Sequence, residues 1–516
     1  MSVVSLEFFV FFLLVAIVYY ILPGRFQWIW LLLASLYFYI DNSAWYQALF
    51  FFIYVLVNYL LSLGMGEDHP RGKKFYLTAL IFDITLLAVF KYAAFFYDIL
   101  IEVFNVLHID IETEMCRYII SLLKELAPGR ISYFALIVIG YISDVYWGKV
   151  KVQKNPGKML LFTSYFPQMT SGPIVQYEDM EGSLFGEKHR FSYERFIFGI
   201  ERVLWGVFKK LVISERCAVI VNTIYGDYNT YNGLYVPVAA VFFVLQLYTD
   251  FSGLMDIVLG FSQSLQIDLP ENFDTPFYSE NLSEFWRRWH ITLGAFLRDY
   301  VLFPVQNSKF FKNMRKKFRK KFGKDYEKKF NLPLYLSLLI SWFLIGLWHG
   351  GGWNYIFGSG LYMWFMIVLG DLTSPFFVSL ADRLHINTGC FSFRLFKRAR
   401  TAIAFMFGLS FFRAETLRDG FDMWKGAFSG FNPWIFFDRS MYELGLEKGE
   451  LEICFIGIAM LFIVSLLQQR GSVREMLARQ NYLFRLGVFV VLFVLTFTWG
   501  YYGTGFNAAD FIYGRF

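Results

Sequence analysis

Two histidines lie in apolar surroundings. His349 ends a run, Ile340 to Gly360 (ISWFLIGLWHGGGWNYIFGSG), that breaks immediately after it into Gly350, Gly351 and Gly352. An ionisable side chain at membrane depth is costly and marks a functional site. Consecutive glycines let the backbone bend or a ligand come close. His290 lies in NLSEFWRRWHITLGAFLRDY, from Asn281 to Tyr300. Asn281 or Ser283 is suited to cap a helix there. A helical period of about 100° per residue puts Trp286, Trp289, His290, Leu293 and Leu297 on one face, with Arg287, Arg288, Arg298 and Asp299 off it. Neutral imidazole is a good general base near pH 7. It suits activation of a hydroxyl or thiol that attacks an already activated acyl group. The competing reading of each histidine is a buried ring bonded to a backbone carbonyl.

Other chemistries find no support. Cys116, Cys217, Cys390 and Cys454 are scattered singly, without the spacing of a disulfide framework or a zinc site. There is no HExxH, no GxSxG and no P-loop, so protease, hydrolase and ATPase readings fall away. With no nucleotide site, the energy for transfer would come from a thioester donor, and no metal or bound cofactor is expected.

These residues need a membrane around them. Charged residues are 17% of the 516 and hydrophobic residues 56%, against about 25% charged in soluble chains. Lipid must cover what polar side chains cannot. Apolar stretches recur at Val3–Leu22, Gln27–Ile40, Ala44–Leu63, Phe75–Phe104, Ile131–Trp147, Phe196–Ile213, Leu234–Phe261, Leu332–Trp348, Trp353–Leu369, Thr401–Phe412, Leu451–Leu467 and Leu486–Tyr502. At ~20 residues per crossing they predict an all-α, polytopic transmembrane protein with about 10 to 12 spans. Phe75–Phe104 is long enough to tilt or to be a span plus an interfacial turn.

Basic loops at 64–74, 149–158, 309–329, 394–400 and 470–485 are placed on the cytoplasmic side. The acid-rich segment His108–Glu125 and the loop Arg413–Glu450 are placed outside. Between Lys309 and Lys329 eleven Lys or Arg face only Asp325 and Glu327, a solvated loop that fixes topology. Leu160–Val175 carries Pro167, Gly172 and Pro173 and reads as a re-entrant segment. Gln246 and Asp250, four apart, share an interior helical face. No internal repeat is evident.

Taken with their spacing, the motifs resemble bacterial membrane-bound O-acyltransferases (MBOAT) of the alginate O-acetyltransferase branch. The resemblance rests on YFPQMTSGPIVQY (Tyr165–Tyr177), LQLYTDFSGLMDIVLG (Leu245–Gly260), NLSEFWRRWHITLGAFLRDYVLFP (Asn281–Pro304), LIGLWHGGGWNYIFGSGLY (Leu344–Tyr362), FFRA (Phe411–Ala414) and the terminal FIYGRF (Phe511–Phe516). The last differs from the family's usual FIYFQF, and the N-terminal third matches in hydropathy only. The resemblance implies one membrane domain over 1–516, with core motifs at 165–362 and a C-terminal extension at 401–516. It implies a bowl of helices with re-entrant segments around a central tunnel, in a bacterial plasma (inner) membrane.

His349 would be the catalytic histidine and His290 the second one. Trp348, Trp353, Asn281, Gln168, Asp250 and Trp286 are candidates to line the tunnel. The acyl donor, acetyl-CoA or an acyl carrier protein thioester, would stand on the cytoplasmic side. An SGNH-type protein outside would pass the acyl group, acetyl first, to a cell-envelope polysaccharide; nucleic acid is not a partner. D-alanyl transfer to teichoic acid is the alternative within the family, and a non-catalytic transporter of acyl substrates the alternative outside it.

Overall fold

The structure is a computed structural model that describes residues 1–65, 71–109, 114–127, 130–169, 172–186, 188–323, 326 and 330–502. The terminal FIYGRF motif lies outside the described residues. Among the described residues the chain is helical throughout, with one isolated antiparallel bridge between Phe273 and Trp289.

The N-terminal third contributes α1 (Leu6–Ile21), α2 (Gly24–Asp41), α3 (Trp45–Leu63), α4 (Gly72–Phe90), α5 (Ala93–Val106), α6 (Glu114–Leu126) and α7 (Ile131–Tyr146). The middle contributes α8 (Pro156–Ser164), α9 (Tyr177–Phe185), α10 (Tyr193–Phe208), α11 (Glu215–Gly226), α12 (Tyr235–Ser264), α13 (Leu282–Arg288), α14 (Ile291–Leu297), α15 (Phe303–Asn307) and α16 (Lys309–Phe322). The last third holds α17 (Leu332–Gly350), α18 (Trp353–Arg383, with a π segment at Ile356–Leu361), α19 (Phe391–Arg413), α20 (Leu417–Ser429), α21 (Lys448–Gln468), α22 (Val473–Ala478) and α23 (Tyr482–Trp499).

Helix α12 is the central post. Of its most apolar stretch 83% is buried, against 6% for α18, which belongs to the periphery. Its closest partner is α10, and small residues explain how close. A Cβ on Gly206 would stand 2.5 Å from the Gly253 carbonyl, and one on Gly260 2.6 Å from that of Gly199. Glycines seven apart on both helices thus let the two backbones touch, the packing used between helices in membranes.

Among the described residues six helices are long and apolar enough to cross a membrane, or up to eight if each bent pair is one span. The hydropathy stretches had suggested ten to twelve. The difference lies in helices such as α1, with 16 residues, and α19, whose first half carries Arg394, Lys397, Arg398 and Arg400. Three loops expected from charge are helical instead: 114–126, 309–322 and 391–400. Most of their charges are exposed, while Arg315, Lys397 and Arg398 are half-buried, so a polar segment need not be irregular. The 75–104 stretch falls in two helices, α4 and α5, which meet at 67° around Lys91 and Tyr92. After α8 the chain runs without regular structure, largely buried, through the described part of 165–176, as the prolines required.

Candidate active site

His349 occupies the last turn of α17 and is 3% exposed. The helix stops one residue later because Gly351 adopts φ +69°, with its N–H bonded to the Leu347 carbonyl at 3.1 Å. A Cβ there would be strained and would also press on Tyr92 at 3.2 Å. Next comes the π segment of α18, which carries Ser359. His349 Nδ1 lies 3.1 Å from Ser359 Oγ, and that hydroxyl donates its hydrogen to the Tyr355 carbonyl at 2.9 Å. Toward the imidazole, Ser359 can therefore only accept. Nδ1 carries the proton, and Nε2 carries the lone pair that a general base needs. The sequence had offered no partner to orient this ring; a serine ten residues on, across a helix break, supplies one.

His290 is placed by a different device. The single helix expected over 281–297 is broken: α13 ends at Arg288, Trp289 is extended, and His290 sits in the left-handed region at φ 49°. A non-glycine residue there is uncommon and strained, a pattern that clusters at functional sites. Residues 272–274 clamp the break, with Asp274 N–H bonded to the Arg288 carbonyl and Ile291 N–H to that of Asn272, both at 3.0 Å. Asn272 Oδ1 accepts from the Thr292 amide (3.0 Å) and hydroxyl (2.8 Å) and faces His290 Nδ1 at 3.4 Å. The Phe251 ring closes the other side, edge-on at 4.7 Å.

Trp348 joins the two histidines. Its ring centroid lies 5.0 Å from that of His349 and 5.9 Å from that of His290. Its buried indole N–H has no acceptor among the described residues. Buried donors are nearly always paired, so this one is available to a ligand oxygen. Lys91, at the α4–α5 bend, donates to the Trp348 carbonyl and to Ser132 Oγ (2.8 Å), with its ammonium 5.3 Å from the Trp348 ring. On the far side of His349 stands Phe412, 5.3 Å away edge-on, so the FFRA motif is a wall of the same site.

The remaining sequence candidates divide. Gln168 is 1% exposed, and its Oε1 has no donor among the described residues. Its segment reaches the second histidine where Ile174 N–H bonds Thr292 Oγ1 at 3.0 Å. Trp286 is packed edge-on against Trp342 at 5.0 Å, its N–H also without an acceptor among the described residues. Asp250 is buried, but it is ion-paired to Lys210 at 2.6 Å, and Lys210 also to Glu215; its neighbour Phe251 is what meets His290. Asn281 is exposed and caps α13, accepting from Glu284 N–H at 2.8 Å. Trp353 is 46% exposed and rests edge-on against Phe95 at 5.6 Å. Thus His349, His290 and Trp348 come together, whereas Asn281 and Trp353 face outward. At the entrance to α13, Glu280 takes a hydrogen bond from Lys397, which holds its carboxyl below the usual carboxylate range. No group of three His, Cys, Asp or Glu among the described residues could hold a metal ion.

Two buried imidazoles and an indole N–H with no acceptor among the described residues thus stand together around Trp348. The model of the membrane-bound O-acyltransferase family matches residues 77–319. A probable alginate O-acetylase, AlgI, of Pseudomonas syringae pv. tomato is 28% identical over 460 residues, 88% of this chain and 80% of that one. The peptidoglycan O-acetyltransferase of Helicobacter pylori is 28% identical over 64% of this chain and 61% of its own length. The teichoic acid D-alanyltransferase of Bacillus subtilis is 29% identical over 45% of this chain and 56% of its own. Residues 77–319 match the membrane-bound O-acyltransferase family, and the chain is a multi-pass membrane acyltransferase.

Proposed function

We propose that this acyltransferase moves an acetyl group from a thioester donor, acetyl-CoA or an acyl carrier protein, to a hydroxyl destined for a cell-envelope polysaccharide, in a bacterial inner membrane. The observation that carries the reading is the His349–Ser359–Tyr355 chain, which leaves Nε2 as the basic nitrogen beside an unpaired indole N–H.

In the reaction, the acceptor oxygen attacks the thioester carbonyl as its proton passes to His349 Nε2. The carbonyl oxygen becomes an oxyanion, for which Trp348 Nε1–H is the fitting donor. Collapse breaks the C–S bond, and the thiolate leaves with the proton held by the imidazolium. General base help of this kind is worth roughly 10² to 10⁴-fold. His290 lines the approach and flanks Trp348. Phe412 and the close packing of the glycine turn keep water from the thioester. An SGNH-type protein on the far side would take the acyl group and deliver it to the sugar. Acetyl is favoured over D-alanyl because the O-acetylase relatives match along most of the chain, the D-alanyltransferase over less than half.

The test uses purified protein in nanodiscs with radiolabelled acetyl-CoA, an acetylated carrier protein and a D-alanyl carrier protein in parallel, with an SGNH-type acceptor. Label should reach the acceptor from an acetyl donor and be lost with His349→Ala in a folded sample. Transfer only from the D-alanyl carrier would move the chain to the alanylation branch. Thioester left intact with every donor would favour a transporter.

A further inference from the structure

We propose that the cavity between α10 and α12 on one side and α21, α22 and α23 on the other is a binding site for one membrane phospholipid, its phosphate at Arg474 and an acyl chain along α23. The cavity has a volume of about 1040 Å³. Ligand pockets span about 300–1,000 Å³, so this space, open on one side to the outer surface of the helices, has the size of a ligand site.

Its walls describe that ligand. One end is polar, and the cations there fall into two kinds. Arg202 bridges Asp256 (2.8 Å) and Glu271 (2.7 Å), and Lys209 pairs with Asp256 at 2.6 Å, so both are neutralised within the wall. Arg474 is held instead by neutral groups, the Phe198 carbonyl at 2.9 Å and Gln263 Oε1 at 3.0 Å, over the Phe198 ring at 4.1 Å. It has no carboxylate within ion-pair distance among the described residues. A guanidinium fixed by neutral partners at a cavity wall matches a phosphate.

The rest of the wall is apolar. On α23 it runs from Leu483 to Leu492, about 14 Å at 1.5 Å per residue, close to half of the ~30 Å hydrocarbon core. That is the depth of one leaflet. The same helix turns Leu483, Phe484 and Val491 outward, 73%, 57% and 57% exposed, so the cavity is continuous with the surface that lipid covers. The thioester donor fits less well. Neither His349 nor Trp348 lines the cavity, and Asn272 and Met255 stand between it and His290. The inference does not depend on which acyl group the enzyme transfers.

Gly487 supplies the means of testing it. It lines the cavity, and a Cβ there meets nothing within 4 Å, so Gly487→Phe starts its side chain in open space and directs bulk into the cavity. Val490→Phe, on an exposed position of the same helix outside the cavity, is the control. Protein purified from the membrane and washed in lipid-free detergent would be assayed by native mass spectrometry and lipid extraction. A photoactivatable phospholipid would be crosslinked to the same variants. Wild type and Val490→Phe should retain one phospholipid per chain and crosslink on α22 or α23. Gly487→Phe should lose both signals, and Arg474→Ala should weaken retention about tenfold, the worth of a charged hydrogen bond. Equal lipid content and equal crosslinking in Gly487→Phe and wild type would overturn the proposal. So would displacement of the retained lipid by acetyl-CoA, which would assign the cavity to the donor.

Discussion

The proton on His349 Nδ1 is the most consequential detail at the scale of single residues, because it decides which nitrogen can act. Ser359 sets it by having already given its hydrogen to Tyr355. Ser359→Ala removes the acceptor and lets either tautomer and a wider range of ring angles form. We expect kcat to fall roughly 10- to 100-fold, by analogy with the loss of a partner that orients a histidine ligand, with KM for the donor little changed. A proportionate rise in KM would mean that the serine serves binding instead. Trp348→Phe keeps the ring between the two imidazoles but deletes the N–H. If that N–H meets the oxyanion, kcat should drop about 10²- to 10³-fold while the folded yield stays at the wild-type level. Asn281 makes the contrast. It was a tunnel candidate from its neighbourhood in sequence, yet its side chain caps α13. Asn281→Ala should cost about 1 kcal/mol of stability and leave KM unaltered, as thermal unfolding and kinetics in nanodiscs would show.

Among the elements, the α4–α5 bend has a role that hydropathy did not convey. The stretch was readable as a span with a turn. That the turn abuts the one carrying His349 was not readable, since 257 residues separate Lys91 from the carbonyl it binds. Helix carbonyls near a C-terminus lack partners within the helix, and Lys91 supplies one at Trp348. Lys91→Met should therefore lower kcat more than stability, and Lys91→Arg should restore part of it; equal losses of folded protein and rate would reduce the lysine to packing. The same limit explains the other differences. Period and charge located α12, α17 and the cap at Asn281, because these follow from neighbours in sequence. The break at His290 depends on a loop 18 residues upstream, and Ser359 depends on a π segment, neither of which leaves a periodic signal. The family model likewise starts at residue 77, where the sequence by itself had offered only apolar character.

For the whole molecule, contacts between distant segments sort the loops into two faces without appeal to charge. Lys397 bonds Glu280, Arg400 bonds the Glu280 carbonyl, and Arg474 bonds Phe198 and Gln263, so 198, 263–280, 397–400 and 474 share one end. Leu234 N–H bonds Asn432, Tyr228 bonds Asp419 and Arg413 bonds Asn222, so 222–234 and 413–432 share the other. The first face holds basic residues of two of the basic runs, Lys397 and Arg400 of one and Arg474 of the other. The positive-inside rule then makes that face cytoplasmic, the side on which the proposed thioester donor would stand. His349 closes α17 toward the opposite face, which suits handing an acyl group across. The arrangement can be tested in a background with Cys116→Ser and Cys390→Ser, with Cys217 and Cys454 both buried. A membrane-impermeant maleimide added to intact cells should label Ser429→Cys on α20 and should reach Asn313→Cys on α16 only after the membrane is permeabilised. The reverse pattern would put the base on the wrong side of its donor, and the direction of transfer would have to be inverted.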